Sequence, residues 1–91
     1  MNNVPNLDAM TVEELRDFWR RYHYGAKRKD CEDLIGSRCD GYTVIASKLA
    51  NYADNKAVAM ECRLRGDIQA ASIYETICDQ IYSRLPEDIK W

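Results

Sequence analysis

The residues able to do chemistry in this chain are few: one histidine, four cysteines and two close carboxylates on one predicted helix. His23, Cys31 and Cys39 form the one candidate metal set. Zinc sites usually present close pairs such as C-x2-C. Here Cys31 and Cys39 are spaced C-x7-C, and a fourth ligand would have to come from Cys62 or beyond. No metal and no other cofactor is therefore expected. Cys62 and Cys78 fall within helical patterns and read as small buried hydrophobes. A disulfide between them is geometrically feasible, but disulfide frameworks belong to small, loop-rich secreted chains. The expectation is a cytoplasmic protein with reduced thiols. Glu75 and Asp79 sit at i, i+4 without a Glu-x-x-His beside them, so a carboxylate-bridged metal site lacks its ligands. No serine occupies a nucleophile elbow and no Gly-rich phosphate loop occurs. A lone His23 at the edge of an apolar face reads as structural, and so short a chain has little room for an enclosed substrate pocket. The expectation is that the protein is not an enzyme.

Binding chemistry has more material. Arg16, Arg20, Arg21, Lys27, Arg28, Lys29 and Arg38 place seven of the thirteen basic residues within 23 positions. They are interleaved with Phe18, Trp19, Tyr22 and Tyr24, the composition of a patch that meets phosphates or acidic groups. Asp17, Asp30, Glu32 and Asp33 offset part of that charge, and the plain alternative is a solvated helix face with its aromatics in the core. Tyr, Trp and Arg are the types that anchor interfaces. The candidate partner-binding residues are Trp19, Arg20, Arg21, Tyr22, Tyr24, Lys27, Arg28 and Lys29, with Tyr52 and Tyr82 as further exposed aromatics.

Elements that could position these residues follow from periodicity. Ninety-one residues, 46% of them apolar, suit one small domain with a modest core. A net charge of −2 argues against binding nucleic acid by bulk charge. No apolar run is long enough to span a membrane, and Met1–Asp8 has neither the basic start nor the apolar stretch of a secretory signal. Residues 1–10 read as a loose arm, with Leu7 a possible anchor. Thr11 and Glu14 form a capping box, and Val12, Leu15, Phe18, Trp19 and Tyr22 share one face of a helix over about 12–24, ended by Gly25. A short extra helix fits 29–35, and Asp40-Gly41 is a turn signal. Ala46, Ala50, Ala53 and Ala57 mark a long helix over about 43–65, whose small side chains let a neighbouring helix approach closely. Asp67 is an N-cap for a last helix over about 67–85, which Pro86 stops. Residues 87–91 are a tail whose Trp91 either folds back on the core or stays exposed. The fold expected is all-α: an antiparallel hairpin with the N-terminal helix packed across it.

The corner Arg65-Gly66-Asp67, with Ala71 five positions after the glycine, resembles a tetratricopeptide hairpin over residues 59–86. The second helix runs about three residues too long for that family, Cys78 stands in place of its alanine, and Glu75 in place of its large aromatic, with Tyr74 one position off. No second repeat accompanies it, whereas arrays need about three. The hairpin is therefore read as general helix-pair chemistry. Residues 43–65 also resemble a DNA-binding helix-turn-helix. Ala46 and Leu49 match the apolar positions of its first helix, residues 51–55 would be the turn, and Lys56, Arg63 and Arg65 would face phosphates. Ala50 replaces the turn glycine and Lys56 falls on an apolar position. An unbroken helix through Asp54-Asn55 would remove this alternative. The functional expectation is a small non-enzymatic protein that adapts, regulates or inhibits a macromolecular partner, in the manner of bacterial or phage accessory proteins, and that self-associates as a homodimer.

Overall fold

A computed structural model of the chain, describing residues 3–36 and 42–91, is helical, with no strand among the described residues. A short 3-10 helix (Leu7–Ala9) leads into α1 (Val12–Tyr22), α2 (Arg28–Ile35), α3 (Tyr42–Leu64) and α4 (Ile68–Ser83). α3 is the axis: α4 packs along it as the hairpin partner, and α1 and α2 pack against it as well. No helix among the described residues is long and apolar enough to cross a membrane. The Asp40-Gly41 turn signal lies outside the described residues, as do Arg38 and Cys39.

Local sequence explains each boundary. The Thr11 hydroxyl accepts from the Glu14 N–H at 3.2 Å, and the Thr11 N–H donates to the Glu14 carboxylate at 3.0 Å. α1 ends at Tyr22, two residues earlier than expected. His23 turns extended there, with its ring stacked on Trp19 at 4.4 Å and its N–H still donating to Trp19 O. Gly25, at φ +92°, then serves the following turn, closed by Ala26 N–H to His23 O at 2.9 Å. α2 begins one residue before the expected start, after Lys27, which caps it without a side-chain bond.

α3 is continuous for 23 residues, about 34 Å at 1.5 Å per residue. Asn55 does not break it, because its side-chain amide donates back to Asn51 O at 2.8 Å within the same helix. The helix-turn-helix expected as the alternative over residues 43–65 is therefore absent. At the hairpin corner, Asp67 N–H donates to Cys62 O at 2.8 Å and Gly66 N–H to Arg63 O at 3.0 Å. This is a Schellman closure, with Gly66 at φ +80° where a side chain would be strained. The Asp67 carboxylate then accepts from Ala70 N–H at 3.2 Å and starts α4. α4 ends at Ser83 rather than Leu85, where Arg84 and Leu85 leave the helix ahead of Pro86.

The core joins Leu7, Leu15, Phe18, Tyr22, Cys31, Leu34 and Ile35 to the fully buried Ala46, Ala50, Ala53 and Ala57 of α3. Helical spacing assigns the alanines a neighbour. Ala46, Ala50 and Ala57 share a row with Glu61, which pairs with Arg16 of α1. Tyr52, Lys56 and Ala59 share a row with Arg63, which holds Glu75 of α4 by two bonds of 2.6 Å. The alanine row thus admits α1, while α4 lies against the Tyr52–Arg63 row, further round α3. The N-terminal arm is also pinned, contrary to the expected loose segment. Leu7 is fully buried, and the Asn3 N–H donates to Leu34 O at 2.7 Å.

Candidate functional site

Two aromatic clusters carry most of the polar chemistry. The first closes the molecule. Asp8, in the 3-10 helix, accepts from the Tyr52 hydroxyl at 2.5 Å and from the Trp91 indole N–H at 3.0 Å, with Lys56 Nζ at 3.6 Å. The Tyr82 hydroxyl donates to the Trp91 carbonyl at 2.8 Å, and the Trp91 ring stands edge-on to Tyr52 and Tyr82 at 4.8 Å from each. One carboxylate therefore ties both terminal segments to α3. Partial burial pushes the Asp8 carboxyl up, but the Tyr52 and Trp91 hydrogen bonds and the Lys56 charge outweigh it and hold the group below its ordinary value. Burial, then the bond to Asp8, pushes the Tyr52 phenol well above its ordinary value. Neither group is poised to exchange protons near neutral pH, and the cluster reads as a clasp.

The second cluster is the corner between α1 and α2. Tyr24 is 91% exposed. Lys27 and Lys29 are exposed nearby and make no ion pair among the described residues. Beside them a recess of about 300 Å³ is lined by His23, Tyr24, Ala26, Cys31, Val44 and Lys48. Its lining is mostly apolar and includes Lys48, an arrangement able to take an apolar side chain next to a carboxylate. Cys31 lies under this recess, buried, and burial raises its thiol above the ordinary value, so it is a poor nucleophile.

The remaining expected contact residues divide. Arg20 pairs with Asp17 at 2.5 Å, Arg21 with Asp30 at 3.5 Å and Arg28 with Glu32 at 3.1 Å, so much of the basic cluster is neutralised locally. Trp19 is half-buried against the core. Tyr22 and Tyr52, expected at the surface, are buried, and Tyr82 is half-buried in the clasp. For Tyr22 the reason is its place on the apolar stripe of α1, where its ring lies 4.7 Å from that of Phe18. The cations assigned to the DNA alternative have other roles: Lys56 faces Asp8, Arg63 holds Glu75, and Arg65 leans on the Cys62 sulfur at 3.4 Å. Bonding to Arg63 also lowers the Glu75 carboxyl. Among the described residues no group of three metal-ligating side chains comes together. Cys31, Cys62 and Cys78 are buried free thiols, and burial pushes Cys78 up to about 11.

Asp8 was missed by every local pattern, because its indole partner is 83 positions away. Comparison with protein-family models, with curated proteins and with solved structures finds no match to this chain, so its function is argued from its own residues.

Proposed function

We propose that this protein acts without catalysis, as an adaptor, regulator or inhibitor that binds an acidic segment of a protein partner at the α1–α2 corner. The observation that carries the reading is Tyr24, a large aromatic left 91% exposed near Lys27 and Lys29, which make no ion pair among the described residues. An exposed aromatic flanked by free cations is the usual anchor of a contact with an acidic chain. Trp19, Arg20, Arg21 and Arg28 border the same surface and set its edge. A second copy of the chain is the other protein contact we propose.

The test is retention of host proteins on the immobilised chain, compared with a Tyr24→Ala, Lys27→Glu, Lys29→Glu variant at low and high salt. The expected result is a partner lost with the variant and weakened by salt. Equal retention by both proteins would overturn the assignment of the corner. Salt-dependent retention of mixed-sequence DNA in place of a protein would overturn the partner class.

A further inference from the structure

The apolar surface of α4 is wider than its seam with α3. Ala71 and Cys78 are buried against α3. Around the helix from them on one flank stand Tyr74, Ile81, Ala70, Ile77 and Ile73, at the spacing of a continuous stripe. Ala70, Tyr74, Ile77 and Ile81 are half-buried, and Ile73 is 61% exposed. The opposite flank carries Ser72, Thr76, Asp79 and Ser83, all exposed, and one apolar residue, Ile68, at its N-terminal end. A helix that met only α3 and water would need no second apolar stripe. Where α4 borders α3, Ile77 and Ile81 line a surface groove with Lys48, Gln80 and Arg84.

We propose that this flank of α4 pairs with the same flank of a second copy, antiparallel, about a two-fold axis passing between Glu75 and Thr76. The register follows from charge and size. Each residue then meets the one equally far on the other side of the axis. Asp67 meets Arg84, Ala70 meets Ile81, and Tyr74 meets Ile77. Lys48 and Arg84, together at one end of the groove, make no ion pair among the described residues. Asp67, at the opposite end of α4 and outside the groove, uses one carboxylate oxygen on its own helix, and its second oxygen accepts no bond among the described residues. The two-fold brings that oxygen to the two cations twice over, while small Ala70 faces Ile81 and Tyr74 faces Ile77 between them. Two-fold pairing of one patch with itself is the commonest closed assembly.

Size sets the strength. α4 is about 24 Å long and a helix is about 10 Å across, a footprint of roughly 240 Å². Stable interfaces bury about 800 Å² per partner, so α4 must be joined by the neighbouring edge of α3 and the dimer should be weak. This inference deepens the self-association part of the proposed function; it shares Lys48 with the lining of the corner recess but uses none of Tyr24, Lys27 and Lys29.

Sedimentation equilibrium from low micromolar to near-millimolar protein tests it. The wild-type mass should rise above 10.6 kDa towards twice that value. Ile77→Lys and the more exposed Ile73→Lys should hold the monomer mass throughout, with helicity by circular dichroism unchanged for Ile73→Lys. Arg84→Asp should raise the dissociation constant at least tenfold, and high salt should reduce that difference. A wild type that stays monomeric, or an Ile73→Lys variant that associates as wild type does, overturns the proposal. The Tyr24 triple variant should dimerise normally, which separates failure here from failure of the partner surface.

Discussion

The clasp and the corner are built from the same residue types and do opposite things with them. At the clasp, Tyr52, Tyr82 and Trp91 have every polar handle engaged: two reach the Asp8 carboxylate and one a main-chain carbonyl. At the corner, Tyr24 projects into solvent, and Lys27 and Lys29 pair with no carboxylate among the described residues. Composition alone would rank the corner and its basic run as the polar centre of the molecule and overlook the clasp. Satisfaction of the polar atoms distinguishes them. An aromatic whose hydroxyl or indole N–H is spent inside the fold stabilises the fold, whereas one left open is available to another molecule.

The comparison predicts unequal mutational costs. Trp91→Ala should be the most damaging change at either cluster, costing about 3 kcal/mol, since it removes an edge-on contact with two rings and a bond to Asp8. Urea unfolding followed by circular dichroism measures it. A cost near zero would mean that the tail does not lock the fold. Ala53→Leu should follow, at about 1–3 kcal/mol, because a fully buried alanine in the close-packed row of α3 leaves no room for a larger side chain. The same unfolding curve reads it, and a neutral result would mean that the core around Ala53 is loosely packed.

Smaller effects come from the Asp8 carboxylate. Tyr52→Phe removes one hydrogen bond from it and should cost about 1 kcal/mol. Because the folded Asp8 is held below its ordinary value of 3.8, its contribution is fully present above that pH and is lost as the pH falls through the folded value. Acid unfolding monitored by tryptophan fluorescence should therefore begin at higher pH in Asp8→Asn, and that variant should show a flatter stability profile below about pH 4. Identical acid limbs for the variant and the wild type would show that Asp8 is not the clasp's charge.

The fold was legible because its signals are local. The capping box at Thr11–Glu14, the Asp67 N-cap and the Gly66 corner each act within a few residues, and apolar spacing places α1, α3 and α4. Boundaries slipped where a neighbour intervened. The stacking of His23 on Trp19 accompanies the early end of α1, and no helical propensity encodes that contact. The alanine row is visible in the sequence, but its neighbour is not, since α1 and α4 both offer an apolar face and long-range contacts such as Arg16–Glu61 and Arg63–Glu75 separate them. The candidate site was legible in part. Tyr24, Lys27 and Lys29 stand out in the basic and aromatic run. Tyr22 belongs to the same run and is buried, because composition does not say which aromatics the stripe of a helix consumes. The clasp was illegible for a plainer reason: its members are single residues, far apart in the chain, with no spacing to connect them.

The smallest predicted effect is the one on which the comparison turns. If Tyr24, Lys27 and Lys29 are free of the fold, the triple variant Tyr24→Ala, Lys27→Glu, Lys29→Glu should unfold within about 0.5 kcal/mol of wild type, as surface changes away from packed features do. Lys27 sets the one weak point in that expectation. It is the N-cap of α2, but it caps without a side-chain bond, so its replacement removes no hydrogen bond. A glutamate there also places negative charge at a helix N-terminus, which is mildly stabilising. A loss of more than about 1 kcal/mol would therefore point to Tyr24 packing on the recess in solution, and the corner would join the clasp as part of the scaffold. A neutral stability with lost partner retention would leave the two clusters as different in role as they are in bonding.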